Sequence, residues 1–279
     1  MASPERIGVF DSGLGGLTVA MRIAQQLPKE SIHYFADTLH VPYGPRPDSD
    51  IRAFAGGIVR NFVRQDAKAV VAACNLSSAV ALEDLAQEVD IPLIGMIRPG
   101  ARAALEASSG GPIGVLATEG TVRSGAYARA IQALEPGRPV IQVSCPNFVP
   151  LVEAGRYDSD EALTAARMYV FPLIQSRVRT VILGCTHYPF LDKILRAALP
   201  STTVLVDPAE AVTAQLARVL EERDLQWHGS PAPHQFEASA DPGRLEAAVK
   251  RWMGLKVRAE NSRLWSAPAE DHGLAAARG

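Results

Sequence analysis

The chain has little cysteine, no long hydrophobic run and almost no net charge. Three cysteines occur in 279 residues. The count is odd and no pair has C-x-x-C spacing, which argues against a disulfide framework or a zinc ribbon and for reduced thiols in the cytoplasm. The 28 basic and 30 acidic residues leave a formal charge of −2, which supplies no field to attract nucleic acid or an anionic membrane. No apolar stretch approaches the ~20 residues that cross a bilayer. The opening MASPERIGVFDSG enters an apparent strand at once, unlike a secretory or transit leader. What remains is a globular composition, 47% apolar and 21% charged, at a length expected to form about two domains at ~150 residues each.

Short Val- and Ile-rich runs alternate with longer amphipathic ones. Strands are expected near Ile7, Ile32, Ala69, Leu93, Ile113, Val140, Val181 and Val204, with helices between them. Continuous apolar runs suit strands covered on both faces, and the βαβα order argues for parallel sheets with right-handed crossovers. Two echoes relate the halves. IGVFDS at Ile7–Ser12 matches IGVLAT at Ile113–Thr118, and VVAACNLSS at Val70–Ser78 matches TVILGCTHYP at Thr180–Pro189. The chain is therefore read as two α/β units with equivalent strand ends. The first covers residues 1–97 and takes back about 208–256. The second covers 98–207, and 257–279 is expected to be a frayed tail.

The echoes put Cys74 and Cys185 at strand ends, each followed by polar residues and a helix. A buried thiol is often mere packing, but a helix N-terminus lowers a thiol pKa and makes a reactive pair the better reading. Cys145, ahead of Pro146, is assigned to packing. Asp11 and Ser12 suit a turn or N-cap and equally a ligand site. Gly13, Gly15 and Gly16 imitate a dinucleotide loop, with Asp37 as its acidic residue. Thr18 occupies the third glycine position, however, and Asp11 stands where a pyrophosphate would be repelled. The glycines are read instead as a tight turn that lets a small anion approach backbone N–H groups. His187, two residues past Cys185, is a candidate proton partner. Thr186, Asn75, Ser77 and Ser78 are helix caps or ligand contacts, and Tyr43 lies in a Pro-Tyr-Gly turn beside Gly44.

VFDSGLGGLTV, YFADTLHVPYGP, VAACN, TVRSGAY, PNFVPLVEAG and ILGCTHYP occur in the order found in glutamate racemases, and the chain resembles this cofactor-independent family from about Ile7 to Ala211. The resemblance implies two flavodoxin-like parallel-sheet domains related by a pseudo-two-fold axis, with the active site in the interdomain cleft. It implies Cys74 and Cys185 as the acid/base pair, assisted by Asp11 and His187. Asp11, Ser12, Tyr43, Gly44, Asn75, Thr186 and His187 match substrate-binding positions; so do Thr118 and Thr121, near the substrate carboxylates, while Glu153 matches an acidic position near the second thiol. It implies interconversion of L- and D-glutamate for peptidoglycan synthesis, a small-molecule amino-acid substrate, no cofactor, no metal and a homodimer. One position departs: Leu76 stands where the family has threonine after Cys-Asn. A lost hydrogen bond to a charged group is worth ~1.5–3 kcal/mol, which opens the alternatives of another acidic amino acid as substrate or impaired activity. Arg98 also departs, at a position often acidic in the family. A decarboxylase with one thiol, a non-catalytic binding protein on the same scaffold, and a dehydrogenase are the remaining readings. Retention of both cysteines argues against the first two.

Overall fold

In the computed structural model, which describes residues 5–265, the branched apolar runs become strands because Val and Ile pack well on a pleated surface buried on both sides. The strands are β1 (Ile7–Asp11), β2 (Ile32–Ala36), β3 (Ala69–Ala72), β4 (Leu93–Gly95), β5 (Ile113–Ala117), β6 (Val140–Ser144), β7 (Thr180–Gly184), β8 (Val204–Val206), β9 (Gln235–Ala238) and β10 (Glu260–Asn261). The helices between them are α1 (Leu17–Gln26), α2 (Asp48–Arg64), α3 (Asn75–Val80), α4 (Leu82–Leu85), α5 (Ile97–Ala107) and α6 (Glu119–Ser124). They continue with α7 (Ala126–Leu134), α8 (Phe148–Glu153), α9 (Asp160–Gln175), α10 (Asp192–Ala198), α11 (Pro208–Glu222) and α12 (Pro242–Met253).

The strands form two parallel sheets, so the chain has two α/β domains. One sheet has the order β10-β9-β2-β1-β3-β4, the other β6-β5-β7-β8. The core β2-β1-β3-β4 and the whole of β6-β5-β7-β8 share one strand order, 2-1-3-4, the start of the flavodoxin-like winding. The registers extend the match to single residues. Ile7 lies opposite Ile32 and Ala69, and Ile113 lies opposite Val140 and Thr180. Cys74 is five positions beyond Ala69 and Cys185 five beyond Thr180. The two thiols thus occupy equivalent places, and the same offset aligns Asn75 with Thr186 and Leu76 with His187.

Side-chain alternation sorts the larger sheet's core into two layers. Ile7, Val9, Tyr34 and Val71 face α1, α11 and α12, while Phe10, Phe35, Val70 and Ala72 face Ile58, Val59 and Phe62 of α2. In the smaller sheet Val181 and Leu183 pack on α9, and Val115 and Ile182 on α5 and α7. The β9 strand was not anticipated; it pairs with β2 and extends the larger sheet. The expected frayed tail is corrected at its start. Within 257–265, β10 pairs with β9, Ala259 is buried, and the Trp265 indole donates to Asp37 at 3.0 Å. The rest of that stretch, 266–279, lies outside the described residues.

Candidate active site

Both cysteines stand just past the carboxyl ends of inner strands, where parallel α/β sheets place their ligands. Cys74 follows β3 and is the N-cap of α3; Cys185 follows β7. Each is buried, at 7% and 8% exposure, and they are close enough for a charge on Cys185 to raise the pKa of Cys74. Burial, with the nearby Asp11 charge, pushes the Cys74 thiol up to about 11, against the lowering effect of the Ser77 N–H and hydroxyl. Its apolar neighbours are Tyr43, Ile51, Leu76 and Val80.

The second thiol has a polar setting. Cys185 Sγ lies 3.7 Å from His187 Nδ1, and His187 Nε2 lies 2.7 Å from Glu153 Oε1. Arg244 Nη2 donates to the other Glu153 oxygen. Burial opposes charge on the imidazole, yet the hydrogen bonds and negative charges of Cys185 and Glu153 outweigh it and raise His187 to about 10. A doubly protonated ring donates from both nitrogens, to sulfur and to carboxylate. Burial works against a charged Glu153 as well, but His187 and Arg244 hold its carboxyl below the usual range.

Asp11, at the end of β1, is buried. Its Oδ2 accepts from the Gly13 N–H at 3.0 Å and its Oδ1 from the Thr186 hydroxyl at 3.2 Å. Burial raises its pKa, and the charge of His187 works the other way. The glycines after it are needed for space. A Cβ at Gly15 would come within 2.5 Å of His187 Nδ1 and Thr186 Oγ1, and one at Gly16 within 2.5 Å of Asp11 Cβ. Their lack of side chains makes room for Thr186, His187 and Asp11 beside the turn.

The remaining candidates gather from both domains. The Tyr127 hydroxyl donates to Asn75 Oδ1 at 2.7 Å, and Thr118 and Thr121 hydroxyls are paired at 3.1 Å. A Cβ on Gly44 would touch Thr118 at 3.7 Å, and one on Gly120 would meet Leu76 and the Gly44 carbonyl. Tyr43 turns its hydroxyl to Asp37 Oδ2 at 2.6 Å, where the carboxylate also holds His40 and Trp265. Ser12 is half-buried just past β1, and Arg98 is exposed on α5. Tyr127 and Arg244 were not singled out as site residues, and Asp37 was weighed only as part of a dinucleotide loop. Ser77 carried a readable signal, a hydroxyl three residues after Cys74; Arg244 carried none, being 91 positions from its partner. A cavity of about 390 Å³ lined by Asp66, Lys68, Asp90 and Arg223 lies at the opposite, amino end of β3.

Two parallel-sheet α/β domains of one winding each bring a buried thiol to an equivalent strand end, the arrangement of a two-domain α/β enzyme. A family model described as Asp/Glu/Hydantoin racemase matches residues 7–216, and the chain belongs to that family. It is an amino-acid racemase, an isomerase. A glutamate racemase of Gloeobacter violaceus is 46% identical over 248 residues, 88% of this chain and 92% of that protein. The crystal structure of a glutamate racemase isoform from Bacillus anthracis matches with a TM-score of 0.90 at 34% identity, covering 94% of this chain and 98% of that one. That of the Francisella tularensis glutamate racemase in complex with D-glutamate matches at 0.87 and 30%, covering 94% and 99%. No described helix is long and apolar enough to cross a membrane.

Proposed function

We propose that this chain interconverts L- and D-glutamate by two-base proton transfer at Cα, with Cys74 and Cys185 on opposite faces of the substrate. The observation that carries the reading is the equivalent placement of the two buried thiols, one past β3 and one past β7, in domains of one strand order. A single base cannot serve both faces of a fixed carbon. A thiolate on one wall removes the proton while a thiol on the other returns one, and the roles exchange for the other enantiomer. The high pKa of Cys74 makes it the resting acid. Cys185, 3.7 Å from His187 Nδ1, is its partner across the substrate in this scheme.

Asp11 and His187 flank the thiols as proton relays, and Glu153 orients His187. Backbone N–H groups of Ser12, Asn75 and Thr186, the hydroxyls of Thr118 and Thr121, and the Tyr43–Gly44 turn are assigned to the substrate carboxylates and ammonium. Both thiols are buried, so the domains part to admit substrate and close to exclude water. Glutamate is favoured by relatives of that activity over most of their length. Leu76 supports a second reading: an alkyl group packed against Tyr43 and Cys74, in place of a family hydroxyl, suits another acidic amino acid. The domains are assigned as 1–97 with 208–256, and 98–207. We assign the enzyme to the cytoplasm as a homodimer supplying D-glutamate for peptidoglycan.

The test is hydrogen exchange in heavy water, read by NMR beside circular dichroism. Cys74→Ser and Cys185→Ser each lower racemisation by about a hundredfold or more. Each variant exchanges the Cα hydrogen of one enantiomer only, and opposite ones. Undiminished racemisation by either variant would overturn the two-thiol reading.

A further inference from the structure

Arg244 lies in α12, between the two strands that complete the larger sheet, yet its guanidinium reaches Glu153, the last residue of α8 in the other domain. The two oxygens of Glu153 are divided, Oε1 to His187 and Oε2 to Arg244. A carboxylate held at both oxygens cannot swing away from the imidazole without losing a charged partner. Two further contacts tie α12 to the same region. The Trp252 ring lies 4.4 Å from the ring of Phe190, three residues past His187, and Arg251 stands beside Gly155. The helix therefore docks against the segment that carries the second thiol's partners.

We propose that Arg244 is a positioning residue for proton transfer at Cys185, acting through Glu153 to join closure of the domains to the placement of His187 beside the second thiol. The inference rests on the reading that Cys185 is one of the two bases. When the domains meet, Arg244 fixes Glu153; Glu153 then holds His187 with a proton on each nitrogen and Nδ1 toward sulfur. When they part, Glu153 loses its cation and the imidazole loses a fixed counter-charge. The charged and titratable groups around this pair are Cys185 from the β7 end, Asp11 from β1, Arg244 and Arg251 from α12, and Tyr34 from β2, whose hydroxyl donates to the Gly13 carbonyl. Among them Arg244 is the cation bonded to the carboxylate that His187 needs. Without it Glu153 takes up a proton more readily, so activity is lost earlier on acidification.

The experiment measures kcat/KM for L-glutamate against pH in the wild type, Arg244→Gln, Arg244→Lys, Glu153→Gln and the Arg244→Gln/Glu153→Gln double variant, with thermal unfolding midpoints alongside. In Arg244→Gln, kcat/KM falls about threefold to tenfold near pH 6 and less at pH 8, as expected for one half-exposed ion pair. The acid limb moves to higher pH, Arg244→Lys restores part of the loss, and the double variant is no worse than Glu153→Gln. A profile that superimposes on the wild type, an equal loss at every pH without rescue by lysine, or losses that multiply in the double variant would each overturn the proposal. Iodoacetamide alkylation of Cys185 in a Cys74→Ser background gives a readout that needs no turnover. Its acid limb shifts upward with Arg244→Gln if the proposal holds and stays in place if it does not. A wild type that racemises no glutamate defeats the substrate reading alone, and the alkylation profile still decides the role of Arg244.

Discussion

Leu76 shows how far the two halves have diverged at one register position. Its counterpart is His187, so one thiol has an imidazole two residues on and the other an isobutyl group. Leu76 is nearly fully buried, at 2% exposure, against Tyr43 and Cys74. A threonine there restores a hydroxyl beside the first thiol at the expense of part of an apolar side chain. Leu76→Thr is expected to lower KM for glutamate about tenfold, by the worth of one hydrogen bond to a charged group, and to cost about 1–3 kcal/mol of stability. Steady-state kinetics beside denaturant titration check both; an unchanged KM would remove Leu76 from substrate recognition. The cysteines were legible because each closes an apolar strand and opens a polar segment. The partner of Glu153 was not, because charge pairing across 91 positions leaves no periodic trace.

At the scale of elements, β1, β3, β5 and β7 were readable from their unbroken apolar runs, as inner strands of parallel sheets should be. The two strands added by the returning chain, β9 and β10, were not. β9 reads QFEA and β10 is the pair Glu260–Asn261, too short and too polar to stand out from a loop. α8 was hidden in the same way by Pro146 and Pro150 on either side of its start. The short β10 matters beyond its length because it delivers Trp265 to the buried carboxylate of Asp37, which also accepts from the Tyr43 hydroxyl. The indole also packs edge-on against His40 and Phe54. Trp265→Ala is expected to lose about 1–3 kcal/mol of stability and to raise KM more than it lowers kcat, since the turn bearing Tyr43 and Gly44 loses an anchor. A KM equal to that of the wild type would separate this segment from the substrate turn.

For the molecule as a whole, the chain begins the larger sheet, builds the smaller one, and returns through α11 to finish the first. The internal echoes announced two similar units; where the chain returned followed from length alone, and the added strands β9 and β10 show what the return is for. Because the candidate ligand groups come from both units, a bound amino acid holds them together and stabilises the folded state by mass action. For the Cys74→Ser/Cys185→Ser double variant, which turns nothing over, glutamate at a hundred times its Kd is expected to add about 2.7 kcal/mol. Scanning calorimetry at increasing glutamate concentration measures this, and a concentration-independent Tm would deny a glutamate site.

The mismatch between Leu76 and His187 carries a further consequence for kinetics. Mirror-image substrates have equal free energies, so the Haldane relation requires kcat/KM to be identical in the two directions, however lopsided the walls of the site. Unequal surroundings for the sulfurs can therefore appear only as a compensated pair, with the faster direction also the weaker-binding one, and the ratio of the two turnover numbers becomes a direct gauge of the asymmetry.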